Sequence, residues 1–148
     1  MQLYSLLYVS RSRVAPDSAD MDEIASASQR NNATRGITGF LYYDNEVFLQ
    51  VLEGLEPDVR ALYDAIAADT RHDRVHMLGF QPVHNRAFGG WSMGLYDGSM
   101  SGGLLRDRFG SDLLEHAQGI DTPEVMRFLR DLCLGREDVY TLPSAASA

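Results

Sequence analysis

The chain has 148 residues, 45% of them hydrophobic, which is enough to bury one ordinary core with a modest appendage. Its formal charge is −8, and its 13 basic residues are all arginines scattered along the chain, which excludes the clustered cationic footprint of a nucleic-acid binder. Cys133 is the single cysteine, which excludes an internal disulfide and a Cys-based metal cluster and fits a reducing cytoplasm.

The opening Met1 to Ser10 is apolar but lacks a basic n-region, and nothing approaches a membrane-spanning run. A soluble cytoplasmic protein with no membrane or nucleic-acid partner is therefore expected. Gln2 to Ser10 reads as a strand by its aromatic and branched content. Leu3, Ser5, Leu7 and Val9 fall on one face, while Tyr4, Leu6, Tyr8 and Ser10 fall on the other. Arg11 to Pro16 is a polar connection. Asp17, Ser18 or Asp20 then caps a helix whose first turn gains from Asp22 and Glu23 against its dipole. Ile24, Ala27 and Ser28 form a narrow stripe small enough to approach something flat. Asn31-Asn32 ends this helix, and two amides there ordinarily mean a cap or turn.

Gly36 to Gly54 reads as a hairpin about Asp44-Asn45-Glu46. In its second strand Val47, Leu49 and Val51 make an aliphatic face, while Phe48, Gln50 and Leu52 make the other. Gln50 is the anomaly, because burying its amide unpaired costs roughly 1–3 kcal/mol, so polar partners should lie nearby. Glu56-Pro57-Asp58 starts a second helix, which runs to about Thr70 and buries Val59, Leu62, Tyr63, Ile66 and Ala67. Arg71 to Arg74 is a polar break. Val75 to Val83 and Trp91 to Tyr96 read as the fourth and fifth strands. The order β-α-β-β-α-β plus one strand predicts an α+β, ferredoxin-like antiparallel sheet with both helices on one face. Strands one and three are central in that sheet, so Tyr8 and Gln50 can be neighbours. Leu104 to Ala117 and Thr122 to Leu134 carry helical stripes that would cap the other face. Gly98 to Gly103 is a joint, and Pro143 to Ala148 is a frayed tail. The expected units are residues 1–97, a cap over 98–135 and a tail over 136–148.

The familiar catalytic patterns are absent: no Gly-x-x-x-x-Gly-Lys, no Gly-x-Gly-x-x-Gly after the first strand, and no His-Glu-x-x-His. His72 and His76 have a metal-compatible spacing on a helix but fall at a helix-to-strand transition, which favours surface histidines. Asp69 and Asp73 flank Arg71 as a solvated charge cluster. No enzyme chemistry stands out. What does stand out is a redox-capable, hydrogen-bonding set assigned to the helix-facing side of the sheet: Tyr8, Gln50, Trp91 and Met93. Aromatic and Met positions on strands are ordinarily core, but an apolar core has no use for Gln50.

Several motifs, in order and spacing, closely resemble the BLUF family of blue-light sensors using FAD. They are Ser5-Leu6-Leu7-Tyr8-Val9-Ser10, Asn31-Asn32, Ile37-Thr38-Gly39 through Phe48 to Gly54, Asp69-Thr70-Arg71-His72, and Trp91-Ser92-Met93-Gly94. The resemblance covers residues 1–97. It implies a flavin ring between the two helices, with Ile24 and Ile66 on its faces and Phe48 nearby. Asn31 and Asn32 would bond the ring's polar edge, and Gln50 would bridge Tyr8 to flavin N5 and O4. Ser10, Arg71 and His72 belong to the stretches near the cofactor. Some family members carry a basic residue at the position of Ala65, so any contact it makes would be missing here.

The resemblance also implies the chemistry. Tyr8 can give an electron and a proton to the excited flavin, with Gln50 as relay because its amide both donates and accepts. The Gln50 amide would end rearranged, by rotation or tautomerisation, and a red-shifted absorption would follow. Exchange of Trp91 and Met93 beside Gln50 would pass the change to strand five and the terminal helices. The roughly fifty residues after Tyr96 are fewer than a typical output domain of about 100–200, so a stand-alone sensor is expected. It would act on a downstream protein or as a homo-oligomer. Two readings from other classes remain: a small flavin-dependent oxidoreductase and a cofactor-free ferredoxin-like interaction module.

Overall fold

A strand with one aliphatic and one mixed face, joined through a short polar reversal to an aromatic-rich partner, sets the centre of the structure. The computed structural model describes residues 2–13, 19–44, 47–98, 104–109, 114, 121–135 and 141–142. The elements are β1 (Leu3–Ser12), α1 (Ala19–Arg35), β2 (Thr38–Tyr43), β3 (Val47–Leu55), α2 (Glu56–Ala67), β4 (His72–Val83), β5 (Gly94–Asp97), α3 (Leu104–Phe109), α4 (Thr122–Cys133) and β6 (Thr141–Leu142). The sheet order is β4-β1-β3-β2-β5-β6. β1 and β3 run antiparallel with Tyr8 directly opposite Gln50, as the ferredoxin-like reading requires. At the reversal, Asp44 accepts from the Val47 amide through its side chain at 2.9 Å, and its own amide donates to the Val47 carbonyl.

The period-two pattern sorts the strands onto two faces. Leu7, Val9, Val47, Leu49 and Val51 pack with Phe40, Tyr42 and Tyr96 beneath α3 and α4, which contribute Leu105, Val125, Phe128, Leu129 and Leu132. Leu6, Tyr8, Phe48 and Leu52 face the other way, with Val59 of α2 and the partly buried Ile24, Leu62, Tyr63 and Ile66. The α4 stripe and the cap it forms over the far face agree with the sequence reading. α2 lies directly against β1 and β3. In α1, Ile24 is the one Val, Ile, Leu or aromatic residue, so this helix has too little apolar bulk to fill the space above the sheet, and a cleft remains.

Several expectations need correction. The sheet is mixed: β5 pairs parallel to β2, from Phe40↔Gly94 to Tyr43↔Asp97. Asn31-Asn32 does not end α1, which continues to Arg35. Gly36, at φ 67°, takes the left-handed conformation that stops the helix. Asp20 lies inside the helix, and Asp17 and Ser18 fall outside the described residues. α2 stops at Ala67, and Ala67 is exposed. β4 starts at His72, so the expected polar break is mostly strand. β5 starts only at Gly94. Thr141–Leu142 of the expected tail adds a strand beside β5. The joint over 99–103, the helix beyond Phe109 except Leu114, and Pro143 to Ala148 fall outside the described residues.

The cap can be tested apart from the cleft. Phe128 is 1% exposed and packs edge-on against Tyr42 and Phe109, at centroid distances of 5.4 and 5.6 Å. Phe128→Ala should destabilise the fold by about 3–5 kcal/mol in urea titrations. Loss of less than about 1 kcal/mol would mean the cap is not part of this core.

Candidate functional site

The cleft between α1 and α2 is floored by β1 and β3. It is lined by Tyr8, Ile24, Ala27, Ser28, Asn31, Asn32, Leu41, Phe48, Gln50, Leu62, Ala65, Ile66, Asp69, Arg71 and His72. The cleft is open to solvent at its mouth. Ile24 and Ile66 reach it from opposite helices, and the small Ala27 and Ser28 let α1 approach whatever lies there.

At the floor, strand register brings Tyr8 and Gln50 together. Both are buried at 3% exposure. The Tyr8 hydroxyl donates to Gln50 Oε1 at 2.5 Å, and Gln50 Nε2 donates to Met93 Sδ at 3.2 Å. The amide is therefore held firmly at its oxygen and weakly at its nitrogen, because a thioether is a poor acceptor. Burial pushes the Tyr8 phenol above its ordinary pKa, with smaller contributions from neighbouring Tyr63 and Asp69. The phenol therefore keeps its proton at neutral pH.

Met93 and Trp91 do not share a face, contrary to the sequence expectation. Met93 joins the cluster around Tyr8 and Phe48. Trp91 packs on the opposite, capped side, stacked on Phe40 at 6.2 Å. The physical reason is local. Residues 91–93 form a bend before β5 begins, so strand alternation does not apply to them. The indole folds back over Gly94, where a Cβ would come within 2.8 Å of Trp91 Cε3.

Asn32 is buried at 1% exposure. Its Nδ2 donates to the Ser92 carbonyl at 3.0 Å, which fixes the amide orientation and leaves Oδ1 as a buried acceptor without a protein partner. Such an atom costs about 1–3 kcal/mol unless a ligand N–H meets it. Asn31, one residue earlier, is exposed but also lines the cleft.

At the other end of the cleft, His72 is buried rather than on the surface. Its Nε2 meets the Ile66 carbonyl at 2.5 Å and its Nδ1 meets Ser10 Oγ at 2.7 Å. A carbonyl can only accept, so Nε2 carries a proton, and in the neutral ring Nδ1 accepts from Ser10. Ser10 itself does not line the cleft. It holds His72 from behind. Arg71 is bound by Asp69, Nη2 to Oδ2 at 2.6 Å, and approaches Glu23 at 3.7 Å. The guanidinium holds the Asp69 carboxyl below the usual carboxylate range. Asp73 pairs instead with Arg11 and Arg13, away from Arg71.

The sequence reading passed over Glu53. It is buried at 1% exposure, and its carboxylate accepts from the amides of Ala87 and Phe88 at 2.6 and 3.0 Å and from the Thr38 hydroxyl at 3.0 Å. The available signal was a charge on the otherwise aliphatic face of the second hairpin strand. Among the described residues no group of three or more metal-ligating side chains occurs, and no helix is long and apolar enough to cross a membrane.

A family model described as "BLUF: Sensors of blue-light using FAD" matches residues 3–94. The beta subunit of photoactivated adenylate cyclase from Euglena longa is 35% identical over 94 residues, which is 62% of this chain and 11% of that protein. The blue light- and temperature-regulated antirepressor BluF of Escherichia coli K12 is 34% identical over 95 residues, 64% of this chain and 24% of that protein. The dark-state structure of BlrB, a BLUF protein, superposes with a TM-score of 0.72 at 33% identity, covering 88% of this chain and 97% of that one. The chain thus spans only about a tenth of the length of the first curated relative.

The unpaired Asn32 Oδ1, the apolar Ile24 and Ile66 on opposite helices and the hydrogen-bonding Tyr8–Gln50 floor fit a flavin ring. Asn32→Ala should weaken flavin retention by roughly tenfold, read by fluorescence titration of the apoprotein. Asn31→Ala should cost less, and equal losses would count against the orphaned acceptor as the discriminating contact.

Proposed function

The chain belongs to the BLUF family, and on that premise we propose that it is a blue-light photoreceptor that binds FAD and signals by rearranging the hydrogen bonds around Gln50. The observation that carries this reading is the buried relay from the Tyr8 hydroxyl through the Gln50 amide to Met93, laid along the floor of a cleft with an unpaired acceptor. In this reading Ile24 and Ile66 hold the faces of the ring, with Phe48 against it. Asn32 offers its free oxygen to a ring N–H, and Asn31 takes the exposed part of the same edge. Arg71 and His72 close the end of the cleft near α2, and Ser10 fixes the His72 ring.

A bound flavin supplies a blue-absorbing chromophore that becomes a strong oxidant when excited. The protein's part is to keep a protonated phenol beside an amide that can both accept and donate. Tyr8 serves as the source of an electron and a proton, and Gln50 moves the proton because Oε1 already accepts from the phenol. Reorientation of the amide exchanges the Tyr8-to-Oε1 bond for one from Nε2 to the phenol oxygen, and the contact it gives up outright is the weak one to Met93. That contact is therefore where the floor can yield, and Met93 carries the change into residues 91–93 and β5.

The chain itself acts as a sensor rather than an enzyme. The cyclase and antirepressor relatives are mostly made of sequence outside the matched segment, in keeping with a light signal read by something other than the sensor fold. Here the recipient is a downstream protein or a homo-oligomer, reached through the face covered by α3 and α4, in a cytoplasmic setting.

Gln50→Leu should abolish the light-induced red shift while FAD still binds; an unchanged shift would remove Gln50 from the mechanism. Tyr8→Phe should also abolish it. Because burial holds the phenol proton, the size of the shift in the unaltered protein should stay constant between about pH 6 and 9. A loss with rising pH in that window would mean Tyr8 ionises there.

A further inference from the structure

Met93 reaches Gln50 from residues 86–93, which cross from one side of the sheet to the other. Hydrogen bonds anchor this segment at several points. The Ala87 and Phe88 amides donate to the Glu53 carboxylate. The Trp91 carbonyl accepts from the Gly39 amide at 3.1 Å, the Ser92 carbonyl accepts from Asn32, and Met93 accepts weakly from Gln50. The Glu53 anchor is the most elaborate. Thr38, directly opposite Glu53 across β2 and β3, donates to Oε1. The same hydroxyl accepts from Arg86 Nη1 at 2.9 Å, and that nitrogen also meets the Glu53 backbone carbonyl at 3.0 Å.

Glu53 and Gln50 sit three residues apart on β3, so they point to opposite faces. Gln50 meets the last residue of the segment on the cleft side, and Glu53 grips its start on the capped side. A fully buried carboxylate is expensive unless every lone pair is used. Here it is satisfied almost wholly by the segment and by Thr38, and the cleft gains no contact from it.

We propose that Glu53 is the positioning residue of the switch: its carboxylate fixes where residues 86–93 begin and so sets how firmly Met93 is held against Gln50. This rests on the photoreceptor reading above. Glu53 touches neither the cleft nor the Tyr8–Gln50 pair, so loosening it should change the lifetime of the rearranged state and not its formation. Glu53→Gln replaces one acceptor oxygen by a donor and orphans one backbone amide. Thr38→Val removes the hydroxyl shared with Arg86.

The test uses the full flavin-loaded chain. In Glu53→Gln the red shift should keep its size, while dark recovery changes by roughly fivefold. Emission of Trp91, the chain's single tryptophan, should move toward that of a solvated indole in the dark. Thr38→Val should act in the same direction and carries the test if Glu53→Gln fails to fold. In a Met93→Ala background the effect of Glu53→Gln on recovery should shrink to within about twofold, because the clamp then has nothing to position. The proposal is overturned if both single variants recover within about twofold of the parent, or if the fivefold change survives without Met93. A parent protein that shows no shift in blue light would instead sink the photoreceptor reading. The dark emission of Trp91 in the two variants would then still decide whether Glu53 holds the segment.

Discussion

Everything at this site depends on one antiparallel register. With Tyr8 opposite Gln50 on two adjacent interior strands, a phenol and an amide meet where water is excluded, and each satisfies a cost the other's burial creates. Slipping β1 by one residue would bring Leu7 or Val9 to that place and turn Tyr8 toward the aliphatic face. The apolar pattern that makes such a slip expensive lies on the capped side, in Leu7, Val9, Leu49 and Val51. The cap over the far face is in this sense what aligns the chemistry on the near one.

The two helices over the cleft divide the work unequally. α2 brings an ordinary apolar stripe and closes against β1 and β3. α1 brings Ile24, two small residues and a buried asparagine, a poor face for a core and a suitable one for a flat polar-edged guest. Asn32 then has two duties, since it lines the cleft while its Nδ2 holds the Ser92 carbonyl. The segment carrying Met93 is thus tied to the cleft through an amide from α1 as well as through Gln50.

The hairpin, the pairing of β1 with β3 and the α4 stripe were legible because period and residue type agreed at each, whereas Ile24, Asn32, Gln50 and Ile66, which line one cleft, were grouped by the family resemblance and not by any local pattern. Trp91 and Met93 were misplaced because alternation was extended across a bend whose cause, an indole folded over Gly94, involves no repeating pattern. His72 looked like a surface residue because its partners, Ser10 and the Ile66 carbonyl, come from distant elements. The parallel pairing of β5 and the short β6 have no local signature, since which edge a late strand joins is decided by the whole sheet. Glu53 was overlooked because a lone acid on a strand does not show which backbone amides it will meet.

The parallel pairing of β2 with β5 also bears on the order of assembly. The β2–β3 hairpin closes over a few residues, whereas bringing Gly94 beside Phe40 must close a loop of roughly fifty residues, with the entropy that entails. β5 pairs along the side that β2 presents, so the β2–β3 hairpin must be in place before β5 can dock. The 86–93 segment therefore joins the hairpin strands, which close over a short loop, to a strand whose pairing closes a long one, and its anchors set how far a push at Gln50 travels.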